Sequence, residues 1–300
     1  MNKKMYCPFD NETVDKEPVQ EIHDNKLVSN ALEGDRNALD SLIARHHPWI
    51  YNIAFRMVLK KEDAEDISQD IILKMITKLS TFDHEKAAFT TWLYRITVNH
   101  VINMKTRSLE GSVKSLEEYY ASLHNIPDIE PENTPEMQLM ISDLMIGCLE
   151  GVFLCLDRRQ RIVFILVVAF NVSDTQGSEI MEISKTNFRK ILSRARSKLF
   201  HYMNNNCGVI NEKGPCKCRN KITALVKAGA FSPDKVKFAQ VGGLVLKDVV
   251  QTAIQFNESI YSQYIDIYRE HPFYNPPDIT QWLRELLKQD QFKQIFKLDS

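Results

Sequence analysis

Three cysteines crowd one short stretch of the chain, Cys207, Cys216 and Cys218, in a Cys-x8-Cys-x-Cys pattern with Lys217 and Arg219 beside them. Three thiolates and a fourth ligand, from His201 or Cys7, would hold zinc tetrahedrally, and zinc is the one cofactor the sequence suggests. The same cationic neighbours would lower a thiol pKa and favour oxidation, which makes a redox switch a second reading. Plain structural cysteines are the third. Cys148 and Cys155 lie on an apolar helical stretch and are expected in a core. His46-His47 cannot easily share a ligand, because neighbours on a helix point about 100° apart, and they read as surface or boundary residues. No glycine-rich phosphate loop and no nucleophile-base arrangement is recognisable by local spacing, so the chain is not expected to be an enzyme.

The other residues with chemical potential are charged and amide groups in stripes. From position 183 to 221 the only acid is Glu212. In that stretch Lys185, Arg189, Lys190, Arg194, Arg196 and Lys198 alternate with the apolar Phe188, Ile191, Leu192, Ala195 and Leu199 at helical spacing. A helix that reads a DNA groove needs this division: one side packs on its own domain while cations and amides reach phosphates and base edges. Earlier in the chain, Asp63, Asp66, Gln69 and Asp70 fall three and four apart, predicting an exposed acidic and amide face suited to a basic protein partner. Between Phe89 and Arg107, the residues Trp92, Tyr94, Arg95, Asn99, Asn103 and Lys105 interleave aromatics, amides and cations, a mixture that stacks unpaired bases and holds phosphates, while the aromatics taken alone read more readily as core.

The elements that must position these groups read as helices throughout. The 300 residues carry a net charge of −1, 44% hydrophobic and 26% charged residues, and no apolar run near the roughly 18 residues of a membrane span. A start without an apolar export segment completes the expectation of a cytoplasmic chain with no membrane partner. The near-neutral total hides a −9 window at 109–157 beside a +9 window at 158–221. That contrast points to a polyanion partner.

Breakers and periodicity divide the chain into an N-terminal tail (1–25), a helical domain (26–108), an acidic and proline-bearing linker (109–135), and a second helical domain with a helix-turn-helix (136–203). A cysteine strip (204–221) and a neutral helical extension (222–300) follow. The expected fold class is all-α. In the first domain a fourth helix over Phe89–Lys105 is predicted to turn Trp92, Ile96 and Val101 inward; the linker is expected to contain no core. The extension is predicted to hold helices over Lys247–Arg269 and Ile279–Phe296, the latter capped by Asp278.

These residues resemble a known family, the sigma factors of bacterial RNA polymerase in the extracytoplasmic-function group. Asp63-Ala64-Glu65-Asp66-Ile67-Ser68-Gln69-Asp70 is similar to that group's polymerase-binding segment, and Phe89 through Asn99 to its promoter-melting segment. Gln160 to Phe164, with Ile183 through Arg196, resembles the domain that reads the upstream promoter element. The resemblance covers about 26–108 and 136–203. It implies that Asp63, Asp66, Gln69 and Asp70 meet core polymerase, and that Arg95, Asn99 and Asn103 lie near melted DNA, with the loop Thr81–Lys86 cradling a flipped base. Thr186, Asn187, Arg189, Lys190, Ser193 and Arg194 would face the major groove of the upstream element.

Two departures stand out. Gly177 sits in the helix before the turn, where it costs about 1 kcal/mol of helix stability, and Glu182 occupies a turn position where the family usually has Gly. The implied function is a promoter-specificity subunit with core polymerase and promoter DNA as partners, regulated by an anti-sigma factor or by the chain's own extension. The competing reading is a stand-alone helix-turn-helix regulator whose first domain dimerises.

Overall fold

The computed structural model describes residues 17–112, 115–235 and 274–289. Helices α1 (Glu17–Leu32), α2 (Arg36–Val58), α3 (Lys61–Lys78) and α4 (Phe89–Asn103) are followed by the short α5 (Ser108–Ser112) and α6 (Leu116–His124). Then come α7 (Pro135–Phe153), α8 (Arg158–Val168), α9 (Asp174–Ile180), α10 (Lys185–Asn206), α11 (Cys218–Lys227) and α12 (Thr280–Leu287). Among the described residues the secondary structure is all-α, apart from one isolated bridge between Cys207 and Cys216. By backbone contacts the chain forms two compact units, whose boundaries fall within α8 and α10. The predicted helix over 247–269 lies outside the described residues, as do the end of the second predicted helix and Cys7.

The first unit contains α1 to α4, the end of α8, α9, the start of α10 and α12. Gly34, at φ 103°, ends α1 in a conformation that disfavours a Cβ. The Asp35 carboxylate then accepts the first free N–H groups of α2, from Asn37 at 2.9 Å and Ala38 at 3.3 Å. Glu62 and Asp63 open α3, where carboxylates complement the partial positive charge of a helix N-terminus. Trp49 stacks on Tyr94 with ring centroids 4.1 Å apart, at the centre of a core that includes Ile53, Ile71, Met75, Phe89 and Leu93. His46 and His47 belong to that interior, contrary to the expected surface position. The Trp49 indole N–H donates to His46 Nδ1 at 3.0 Å, while His46 Nε2 faces the Asp24 carboxylate at 3.2 Å. Burial lowers the His47 pKa to about 4, so its ring is neutral at physiological pH.

The second unit contains α5 to α7, the start of α8, the remainder of α10 and α11. Its organising side chain is Arg161, 1% exposed. The guanidinium donates to the carbonyls of Phe153, Leu154 and Leu156 at 2.9–3.0 Å, satisfying the open C-terminus of α7, and pairs with Glu110 at 3.2 Å. Arg158 adds a two-pronged contact to the same carboxylate, at 2.6 and 2.8 Å.

The linker is therefore not the coreless tether the sequence suggests: α5 supplies Glu110, and α6 buries Leu116. Its later part is fastened to α11, where Lys221 Nζ donates to the Ile126 carbonyl at 2.6 Å and pairs with Asp128 at 3.1 Å. Some of the acidic window thus neutralises the basic window within the chain. The cysteine strip is irregular over 207–217, and helix resumes at Cys218 with α11, whose Ile222 packs on Met140 and Ile141 of α7.

Candidate polymerase and promoter interfaces

Helix α3 presents its acidic stripe only in part. Asp66 and Asp70 are exposed and Gln69 is half-buried, but Asp63 is buried and turns toward the helix bundle. The correction follows from the helical repeat. Asp63 stands one turn before Ile67 on the stripe that α3 buries against α2, whereas Asp66 and Asp70 lie on the opposite side. Asp70 Oδ2 lies 3.8 Å from His100 Nε2, and Lys74 Nζ lies 2.6 Å from the other nitrogen of that ring.

Helix α4 carries the second predicted surface. Its inward row is Phe89, Leu93, Tyr94, Thr97, Val98 and Val101. Tyr94 is fully buried by its stack on Trp49 and is a core residue rather than a base-stacking one. Trp92 and Ile96, expected inward, are half-buried and line a groove of about 570 Å³ together with Arg95, Asn99, Asn103 and Lys74. A volume of that order is ordinary for a small-ligand site. The amides of Asn99 and Asn103 are exposed, with Asn103 Nδ2 donating to the Asn99 carbonyl at 2.9 Å. Phe82 and Phe89 pack around Trp92 at centroid distances of 5.6 and 5.5 Å, so its indole is held in place at the groove wall.

Two acidic residues that sequence reasoning did not select stand at this groove. Glu179 of α9 receives Arg95 through its carboxylate at 3.1 Å and through its carbonyl at 3.2 Å. Glu182 lines the same groove. The sequence carries no local signal for either contact, since 84 residues separate Arg95 from Glu179.

The helix-turn-helix has a physical explanation for both of its unusual residues. The Ser173 hydroxyl caps α9, and Gln176 returns the bond to the Ser173 N–H, forming a capping box. A Cβ on Gly177 would stand 2.2 Å from the ring of Phe188, so glycine is what lets α10 approach α9. Glu182 makes the turn in the left-handed region, at φ 53°, where glycine would be unstrained.

On α10, Phe188, Leu192, Ala195 and Leu199 are buried, while Thr186, Asn187, Arg189, Lys190, Ser193 and Arg194 are all exposed. Lys185 and Arg189 both pair with Asp174 of α9, which holds two of the long cations in fixed directions.

The cysteines gather differently from the expected set. Cys207, Cys216 and Cys218 line one small cavity with Cys148 of α7, and not with His201. All four are free thiols. Among the described residues, no group of three or more His, Cys, Asp or Glu side chains is arranged to hold a metal ion. Cys155 keeps its predicted core position and donates to the Ser115 carbonyl at 3.6 Å. Among the described residues no helix is long and apolar enough to cross a membrane.

Residues 42–108 match the family model for sigma-70 region 2. The chain is 25% identical over 179 residues to the ECF RNA polymerase sigma factor SigM of Mycobacterium tuberculosis, a match spanning 60% of this chain and 84% of that protein. It is likewise 25% identical over 183 residues to the RNA polymerase sigma factor CnrH of Cupriavidus metallidurans, spanning 59% and 92%. Over 78 residues it is 31% identical to the ECF RNA polymerase sigma factor SigW of Bacillus subtilis, spanning 26% and 41%. A solved structure of CnrH with the cytosolic domain of CnrY superposes with a TM-score of 0.44 at 20% identity, covering 61% of this chain and 97% of CnrH. Residues 42–108 contain both the α3 stripe and the α4 groove, and the longer matches span more than half of the chain. The chain belongs to the extracytoplasmic-function group of the sigma-70 family of RNA polymerase sigma factors.

Proposed function

We propose that this chain binds core RNA polymerase through the exposed Asp66, Gln69 and Asp70 of α3, reads the upstream promoter element with α10, and opens DNA at the α4 groove. The observation that carries the reading is the division of α10. Its six DNA-facing candidates are exposed while Phe188, Leu192, Ala195 and Leu199 are buried behind them. Base contacts would come from Arg189, Lys190 and Arg194, with Thr186, Asn187 and Ser193 reaching phosphates or base edges. Trp92 offers an aromatic wall for an unstacked base, and Asn99 and Asn103 offer amides to its edge. Residues 26–108 and 136–203 act as the two promoter-reading domains, and the chain itself performs no bond-making chemistry.

Exposed carboxylates at Asp66 and Asp70 suit a basic partner face better than the apolar self-complementary face that a dimeric regulator needs. In the free chain Arg95 is engaged by Glu179, so DNA opening requires that ion pair to separate. An anti-sigma partner or the chain's own extension would set when that happens. Transcription in vitro with core polymerase and a library of promoter fragments tests the reading. Initiation at a defined subset of fragments, dependent on the full-length chain, is the expected result.

A further inference from the structure

Helix α10 continues about three turns beyond Arg194, and this second half, with α6 of the linker, walls a groove of about 630 Å³ inside the second unit. Volumes of roughly 300–1,000 Å³ are ordinary for a small-molecule site, and such sites are mostly apolar with a few placed polar groups. The groove has that composition. Its apolar wall is Leu116, Tyr120 and Tyr202. Tyr202 meets Tyr120 edge to face at a centroid distance of 6.4 Å, and Tyr120 stacks on His124 at 5.6 Å, so the rings are held at fixed angles.

The polar wall is a stripe of α10. Arg194, Lys198 and His201 follow one another at spacings of four and three, on the same side of the helix as Tyr202. Their donors are not equally available. Lys198 Nζ donates to the Cys155 carbonyl at 3.0 Å, and His201 Nε2 lies 3.2 Å from the Asn205 amide nitrogen. Among the described residues Arg194 makes no hydrogen bond or ion pair, whereas Arg95, Arg158, Arg161 and Arg189 all hold carboxylates. An exposed planar fork of N–H donors thus stands at the start of the stripe with its bonding capacity unspent.

We infer that the groove between α6 and α10 binds a free nucleoside monophosphate, its base against Leu116, Tyr120 and Tyr202 and its phosphate on Arg194. Arg194 and Tyr202 stand eight residues apart, about 12 Å along the helix axis. A ligand that meets both must therefore carry its ring and its anion at opposite ends. A guanidinium grips phosphate oxygens through paired N–H donors, and aromatic rings take a planar base by edge and face contacts. Ser197 and Asn205 line the same groove and offer a hydroxyl and an amide to the sugar and the base edge. A polynucleotide fits less well, because Glu117 of α6 also lines the groove and its carboxylate would repel a second phosphate. Arg194 is also a proposed promoter contact. On that reading nucleotide and promoter compete for one guanidinium, and each lowers the affinity of the chain for the other.

Equilibrium dialysis of the full-length chain against AMP tests the assignment. Saturable binding of one AMP per chain is expected, with a Kd of about 1 mM or tighter, and adenosine and inorganic phosphate should each bind at least roughly tenfold more weakly. Arg194→Ala and Ser197→Trp, both at exposed positions, should each weaken AMP about tenfold with the melting curve unchanged. In the wild-type chain, illuminated 8-azido-AMP should label the peptides carrying Tyr120 or Tyr202. Absence of saturable binding, inorganic phosphate binding as tightly as AMP, or label confined to the α4 peptide around Trp92 would each overturn the site. A 5′-phosphorylated single strand that binds the groove more tightly than AMP would overturn the choice of a free nucleotide. Because binding is read without DNA, its failure is distinguishable from failure of the promoter reading. Promoter binding with core polymerase, measured without nucleoside triphosphates, should weaken as AMP fills the groove, and unchanged promoter binding would overturn the competition.

Discussion

Asn52 and Tyr274, 222 positions apart, exchange two hydrogen bonds. The Asn52 amide donates to the Tyr274 carbonyl, and the Tyr274 N–H donates to the Asn52 carbonyl oxygen, both at 2.8 Å. The Tyr274 ring adds a contact to Phe55 at a centroid distance of 4.2 Å. One side chain thus takes up both backbone groups of a residue in the extension, doing for Tyr274 what a neighbouring strand would do. The segment 274–289 is anchored on the same helix whose far end leads into the acidic stripe of α3. Asn52→Leu removes the clamp and leaves both Tyr274 groups without it, at a cost of roughly 1–3 kcal/mol. Faster amide exchange across 274–289 than in the wild-type chain is the expected outcome, measured by hydrogen–deuterium mass spectrometry.

Asp66→Arg combined with Asp70→Arg reverses an exposed charge pair without touching the core. Co-purification with core RNA polymerase should be lost while the melting curve stays close to wild type. Asp63→Arg behaves differently: its position is buried, so the same substitution there should lower the melting temperature first.

Glu179→Gln weakens the hold on Arg95. An exposed ion pair of this kind contributes roughly 0–1 kcal/mol, so stability should scarcely change. Strand opening should instead increase, seen as stronger permanganate reactivity of unpaired thymines with core polymerase at a matched promoter. Arg95→Ala should reduce the same signal, and Asn99→Ala should reduce it with closed binding retained.

Glu110 supplies a pH dependence with a defined sign. Burial alone would raise its pKa; the hydrogen bond from Arg158 and the charges of Arg161 and Arg158 outweigh burial and hold it below the ordinary 4.5. A carboxylate depressed on folding stabilises the folded chain above its unfolded pKa and loses that contribution as pH falls through the folded one. Wild-type stability should therefore drop as pH falls below about 4.5. Glu110→Gln should flatten that part of the profile, and at neutral pH it should cost roughly 2 kcal/mol because Arg158 and Arg161 lose their carboxylate. Denaturant midpoints measured between pH 7 and 3 decide the matter.

The two unusual residues of the helix-turn-helix should respond in opposite directions. Gly177→Ala places a methyl 2.2 Å from the Phe188 ring, so the melting temperature should fall despite the better helix propensity of alanine. Glu182→Gly relieves a left-handed residue and should gain up to about 1 kcal/mol, net of the entropy that glycine adds to the unfolded chain.

Local features were legible in the order of residues. Helical periodicity and the breakers between periodic runs placed α2, α3, α4, α9 and α10, because the turn-to-turn repeat is a property of neighbouring residues. The exposed faces of Asp66 and Asp70 and of Arg189 and Arg194 were legible for the same reason. Contacts between distant segments were not. Nothing in the spacing marks Glu110 as the partner of Arg158 and Arg161, Glu179 as that of Arg95, or Tyr274 as that of Asn52. Asp63 and the two histidines were misplaced because a polar residue can be buried wherever tertiary neighbours satisfy it, as Asp24 and Trp49 do for His46. Cys148 shows the limit most clearly. On its helix it is an ordinary apolar-stripe residue, and only the packing of Ile222 on Met140 and Ile141 places it in one cavity with Cys207, Cys216 and Cys218, because side-chain proximity across 70 residues is decided by how helices dock and not by the order of the chain.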